Sequence, residues 1–187
     1  SLTITATQQA LLTDTFNVLA DSFFEQPKVG VHRDFHSRNL MMLDDNEIGV
    51  IDFQDAVVGP ITYDAVSLLR DCYRRWPDEW VSDWLHAFHG QFYAQYPLAQ
   101  FTRWFDLTGM QRHIKASGIF ARLHHRDGKS DYLGDIPRTL GYLVDIGRLY
   151  PQLSAFSDFI EQDVLPNVLA AQHSEKTKIV SLASGKG

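Results

Sequence analysis

Between residues 32 and 55 the chain gathers the side chains that could do chemistry: His32, Asp34, His36, Arg38, Asn39, Asp52, Gln54 and Asp55. Asn39 follows Asp34 by five residues, and Asp52 follows Asn39 by thirteen. Phosphoryl transfer mainly needs positioning and charge neutralisation. A carboxylate that takes a hydroxyl proton, beside an amide oxygen and a second carboxylate suited to a hard cation, is the inventory for that reaction. Asp34 then serves as the base, and Asn39 and Asp52 as ligands for Mg2+. The five-residue spacing lets Asp34 face a substrate while Asn39 points back to the metal. His32 joins Asp34 in the catalytic set, as a brace that holds the loop by hydrogen bonds. The competing reading is that Asp34 and Asn39 cap a turn and Asp52 is an exposed strand-end carboxylate. The Asn at the fifth position and the apolar run ending in Ile51-Asp52-Phe53 weigh against coincidence.

Such residues need elements to aim them. Leu11, Leu12, Phe16, Leu19 and Phe23 recur at helical spacing, which predicts an amphipathic helix over 5–25. Pro27 and Gly30 end it, and Val29 and Val31 lead into the motif. Leu40 to Leu43 and Ile48 to Phe53 read as short strands around the polar turn Asp44-Asp45-Asn46-Glu47, so Asp52 sits on a hairpin. Helices are predicted over about 62–75, 78–95, 101–125, 135–149 and 154–172, with Pro77, Pro97, Gly128, Pro137 and Pro151 at or near the breaks. The expected fold is mainly α with a small β-hairpin: the layout of the C-terminal lobe of a protein-kinase-like fold, over residues 1–173. Residues 174–187 are polar and rich in Gly, Ser and Lys, and are expected to form a flexible tail.

At 187 residues and 44% hydrophobic content, one domain or large lobe can form a core. No run of eighteen apolar residues exists, so no transmembrane helix is expected. The net charge of −6 argues against nucleic acid as the main partner. The single cysteine, Cys72, cannot form an internal disulfide and fits a reducing compartment, so a cytoplasmic location is expected. The chain has no Cys-x-x-Cys pair, and no zinc site is expected.

The loop resembles the aminoglycoside phosphotransferases and related small-molecule kinases, with the His32-x-Asp34-x-His36-x-x-Asn39 pattern; protein kinases usually carry Lys where this chain has His36. Arg38 departs from the small residue usual before the Asn, and is expected to reshape the way into the site. Longer strings are similar to the bacterial anomeric kinases for N-acetylmuramate and N-acetylglucosamine: Asp52-Phe53-Gln54-Asp55-Ala56, Gly59-Pro60-Ile61-Thr62-Tyr63-Asp64, Ser67-Leu68-Leu69-Arg70-Asp71, and Gln111-Arg112-His113-Ile114-Lys115. The resemblance implies ATP and Mg2+ as cofactors and phosphorylation of the C1 hydroxyl of an amino sugar in cell-wall recycling. It also implies that Asp64 ties the hairpin to the helical body. An aminoglycoside or choline as substrate, or a non-catalytic binding module on the same fold, are the rival readings.

Among the residues next to the motif, His36, Arg38, Gln54 and Asp55 are candidates for contact with the sugar. Arg70 either forms a local ion pair with Asp71 or meets an anionic substrate group, as Arg suits planar bidentate contacts. His124, His125, Arg126, Asp127 and Lys129 form a polar cluster at a predicted helix end, where cations complement the dipole. Trp76, Trp80, Trp84, Phe88 and Phe92 recur every fourth residue and are expected to pack into the core. No glycine-rich phosphate loop precedes residue 32, and about thirty residues cannot supply an ATP-cradling lobe. The N-terminal lobe is therefore expected to be absent, the fragment alone to be inactive, and its bare upper surface to be apolar and to favour self-association.

Overall fold

Thr5-Ala6-Thr7-Gln8 opens helix α1 (Ala6–Glu25) with a reciprocal cap. The Gln8 amide donates to the Thr5 hydroxyl (3.2 Å), and the Thr5 amide donates to Gln8 Oε1 (2.9 Å). The computed structural model describes residues 3–128 and 131–173, so Lys129 and the tail expected from 174 lie outside the described residues. These fall into two compact units, one from Phe16–Arg112 and the other from residues up to Thr15 and from His113 onward.

The unit Phe16–Arg112 carries the motif. After α1 come strand β1 (Lys28–Val31), the loop with a 3-10 turn at Ser37–Asn39, β2 (Leu40–Met42), β3 (Ile48–Val50), a second 3-10 turn at Phe53–Asp55, and β4 (Val57–Pro60). The expected hairpin is present: β2 and β3 pair antiparallel, with Leu40 opposite Val50 and Met42 opposite Ile48. A second two-stranded sheet was not expected. In it β1 pairs antiparallel with β4, Val29 facing Gly59 and Val31 facing Val57. A Cβ at Gly59 would lie 2.7 Å from Val31 Cγ2, so the close approach of the strands requires glycine there. The pairing closes the loop at its base: everything from residue 32 to 56 hangs between these two strands.

Helices α2 (Tyr63–Leu69), α3 (Asp78–Phe92) and α4 (Leu98–Asp127) follow. Ile61, Val66, Val81, Leu85, Phe101, Trp104 and Phe105 form one buried cluster. The aromatic stripe of α3 does not supply its centre. Val81 and Leu85 do, with Trp76 and Phe88 partly buried against it; Trp80, Trp84 and Phe92 stay exposed, Trp84 meeting Trp76 and Trp80 edge-on and Phe92 meeting Phe88 at a tilt. A polar knot fixes the cluster's edge. Gln26 Nε2 donates to Thr108 Oγ1 (2.9 Å), and Thr62 donates to Gln26 Oε1 (2.7 Å), all three residues being buried.

The other unit holds α5 (Ile136–Gly147), entered through Pro137 in its first turn, and α6 (Ser154–Phe159), which continues through a π-helical turn at Ile160–Val164 into helix over 165–173. Leu140, Leu143, Leu153, Phe156 and Ile160 are buried there, and His113 stacks on Tyr142 with ring centres 4.5 Å apart. No helix among the described residues is long and apolar enough to cross a membrane.

Candidate active site

The loop is anchored before it is aimed. Asp64, early in α2, accepts from the amides of His32 (2.7 Å) and Arg33 (3.1 Å). Asp71 is fully buried and accepts from the amides of Ser37 (2.9 Å) and Tyr73 (2.8 Å). Helix α2 ends at Leu69 rather than at the expected 75 because Arg70 leaves helical geometry (φ −121°, ψ 57°) and delivers Asp71 to those amides. Arg33 holds φ +75°, a conformation that costs a residue with a Cβ about 1–3 kcal/mol unless its surroundings enforce it.

The Asp52 segment is laced to this loop. His32 Nε2–H donates to the Ile51 carbonyl (2.9 Å), and the Ile51 amide donates to the Asn39 carbonyl (3.1 Å). The Arg33 guanidinium donates to the Asp55 carbonyl (3.3 Å). Asp52 adopts the left-handed conformation (φ 66°, ψ 36°), which turns the chain from β3 into the Phe53–Asp55 turn.

Asn39 joins the Asp34 backbone to the Asp52 carboxylate. Its Nδ2 donates to the Asp34 carbonyl oxygen (2.9 Å) and to Asp52 Oδ2 (3.4 Å). Gln54 donates to the other oxygen of Asp52 (2.6 Å). Asp34 is half-buried and Asp52 is exposed. The Asn39 and Asp52 side chains, thirteen residues apart in sequence, are thus brought together beside the Asp34 backbone. Among the described residues no group of three or more His, Cys, Asp or Glu could hold a metal. That donor set fits Mg2+, which binds through one or two carboxylates and takes its other ligands from phosphate and water.

The flanking candidates separate. The His36 ring lies half-buried, edge-on to Tyr73 with ring centres 5.1 Å apart. Burial holds its pKa below the ordinary value, against the opposing pull of the Asp71 and Asp34 carboxylates. Arg38 is exposed and lies over Tyr73, 3.7 Å from the ring centre. Gln54 and Asp55 are exposed in the turn after Asp52. Arg70, expected among the sugar ligands or beside Asp71, points inward. Its guanidinium pairs with Asp106 of α4 (2.6 Å) and lies over Phe105, with only 13% of the Arg70 side chain and 4% of the Asp106 side chain exposed. His124, His125, Arg126 and Asp127 lie in the last turn of α4, in the other unit, where Arg126 pairs with Asp127.

Sequence reasoning missed Asp71 as an anchor, Asp106 as the partner of Arg70, and any role for Arg112. Asp71 carried one readable signal: an Asp just past a helix can accept from the amide two residues on. Asp106 and Arg112 lie on a helix distant in sequence and gave none.

Residues 3–101 match the APH family, the phosphotransferase enzyme family. The chain belongs to that family. Its mainly helical body with small antiparallel sheets is the family's kinase-like fold. Three curated relatives bear the name N-acetylmuramate/N-acetylglucosamine kinase. That of Neisseria meningitidis serogroup B is 46% identical over 156 residues, covering 81% of this chain and 46% of the relative. That of Pseudomonas putida is 43% identical over 166 residues, covering 86% of this chain and 49% of the relative. That of Pseudomonas aeruginosa is 44% identical over 149 residues, covering 77% and 44%. The chain spans about half the length of the curated relatives it matches.

Proposed function

We propose that the chain is the catalytic and substrate-binding lobe of an ATP-dependent phosphotransferase whose acceptor is the C1 hydroxyl of N-acetylmuramate or N-acetylglucosamine. The observation that carries this reading is Asn39 joined to both Asp34 and Asp52 on an anchored loop. Asp34 takes the proton of the attacking hydroxyl as the new O–P bond forms and the bond to ADP breaks. Asn39 and Asp52 would hold Mg2+, which neutralises charge on the phosphate oxygens. Gln54 steadies Asp52 and, with His36, Arg38 and Asp55, lines the acceptor side. His32 braces the loop through Ile51, and Asp64 is structural. Arg70 is left out of the sugar ligands because Asp106 engages its guanidinium.

The sugar assignment rests on the name that the relatives bear, and it carries cytoplasmic cell-wall recycling as its setting. The nucleotide-cradling lobe would be supplied by residues other than these. Met42, Ile48, Phe53 and Val58 are more than half exposed around the two small sheets, and this apolar face is the surface such a lobe would cover. Left uncovered, the same face would favour self-association.

The test is product identity. The full-length protein is incubated with Mg-ATP and, separately, N-acetylmuramate, N-acetylglucosamine, an aminoglycoside and choline, and followed by phosphorus NMR. An acid-labile sugar phosphate from either amino sugar is expected. An acid-stable ester from another acceptor would keep the phosphotransferase and overturn the sugar. Magnesium-dependent ligand binding without any product would favour a binding module.

A further inference from the structure

Arg33 is the strained residue of the loop, and the peptide that joins it to Asp34 decides where the Asp34 side chain starts. Asp64 fixes the N–H side of Arg33. The carbonyl side is fixed from elsewhere: Arg112 on α4 donates from Nη1 to the Arg33 carbonyl oxygen (3.1 Å). Arg112 is only 8% exposed and lies over the ring of Tyr63, 5.0 Å from its centre, so its own orientation is set by packing. Tyr63 and Asp64 are neighbours on α2, so the support beneath Arg112 and the acceptor for the Arg33 amide move as one piece.

From this arrangement we infer that Arg112 is a positioning residue for Asp34, acting through the Arg33–Asp34 peptide. The inference rests on the phosphoryl-transfer reading above. At φ +75° the backbone gains by leaving its conformation; with the N–H side held by Asp64, the route is rotation about the Arg33 N–Cα bond, which carries away the carbonyl that Arg112 holds. Rotation there swings Asp34 away from the acceptor while leaving Asn39 and Asp52 tied to β2 and β3. The guanidinium lies over Tyr63 and at the same time reaches the carbonyl. A lysine ammonium has no plane to stack and cannot do both.

The test measures kcat and KM for ATP and for the amino sugar in the full-length protein with Arg112→Lys and Arg112→Ala. Arg112→Lys is expected to lower kcat about tenfold and Arg112→Ala about 100-fold, with both KM values within about twofold of the unmodified protein. Arg112→Lys keeps charge and most of the volume, so it decides the matter if the alanine variant does not fold. Unchanged kcat in Arg112→Lys, or a loss carried by KM, would overturn the inference. If the unmodified protein transfers no phosphate, the functional reading falls by itself. Amide hydrogen exchange at Arg33 and Asp34 in Arg112→Lys then decides the clamp: faster exchange than in the unmodified protein supports it, and equal exchange refutes it.

Discussion

The carboxylates beneath the loop and those on its rim are the same chemical group held in opposite ways. Asp64 and Asp71, at the foot, each accept from two backbone amides. Those donors cannot rotate away, so the two carboxylates are committed to shaping the loop. On the rim, Asp52 is met by the side-chain amides of Asn39 and Gln54, which can turn aside when a stronger ligand arrives. Asp34 offers Asn39 its backbone carbonyl rather than its carboxylate. The difference teaches how this loop is built: carboxylates held by backbone amides are fixed as its support, and the one held by side-chain amides stays open to another ligand.

The contrast can be attacked from either end. Asp71→Ala should show the largest loss of stability. It leaves two amides without their acceptor, and at about 1–3 kcal/mol each the cost should be about 3 kcal/mol in urea unfolding. A loss below about 1 kcal/mol would break the comparison. Asp64→Asn should cost less, about 1–2 kcal/mol, because one oxygen still accepts while the new NH2 group opposes an N–H. Asp52→Asn, on the rim, should leave unfolding within about 0.5 kcal/mol of the unmodified protein. Its effect should appear in Mg2+ dependence instead, as a higher metal concentration for half-maximal transfer.

The smallest effect concerns pH. Burial lowers the His36 pKa in the folded state, so folding favours the neutral ring. The unfolded chain binds the proton more readily, and stability is therefore full above the ordinary value of 6.5 and declines as pH falls through the lowered folded value. His36→Gln should flatten that part of the acid unfolding profile. An identical slope in both proteins would show that His36 contributes nothing to it.

The loop geometry was legible because it is local: Asn39 and Asp52 meet at the end of a short hairpin whose turn residues are written in sequence. Helix α1 and the Pro-bounded starts of α3 and α5 were legible for the same reason. The β1–β4 sheet was not, since its register joins Lys28 to Pro60 and both strands are only four residues long. The end of α2 was misplaced because Asp71 leaves the helix for partners 34 residues upstream and two downstream. The aromatic spacing on α3 was real, but periodicity does not say which face turns inward, and Val81 and Leu85 do so in place of Trp80 and Trp84. The inward turn of Arg70 depends on Asp106, which reaches it only once α2 and α4 pack.

The measurement that tests the central claim most directly takes Asp34→Asn in the full-length protein and records phosphoryl transfer and urea unfolding on the same preparation. The account predicts transfer reduced about 10²–10⁴-fold with the unfolding midpoint unchanged. Transfer that persists at the unmodified rate, or a loss that only follows a collapse in stability, would contradict it.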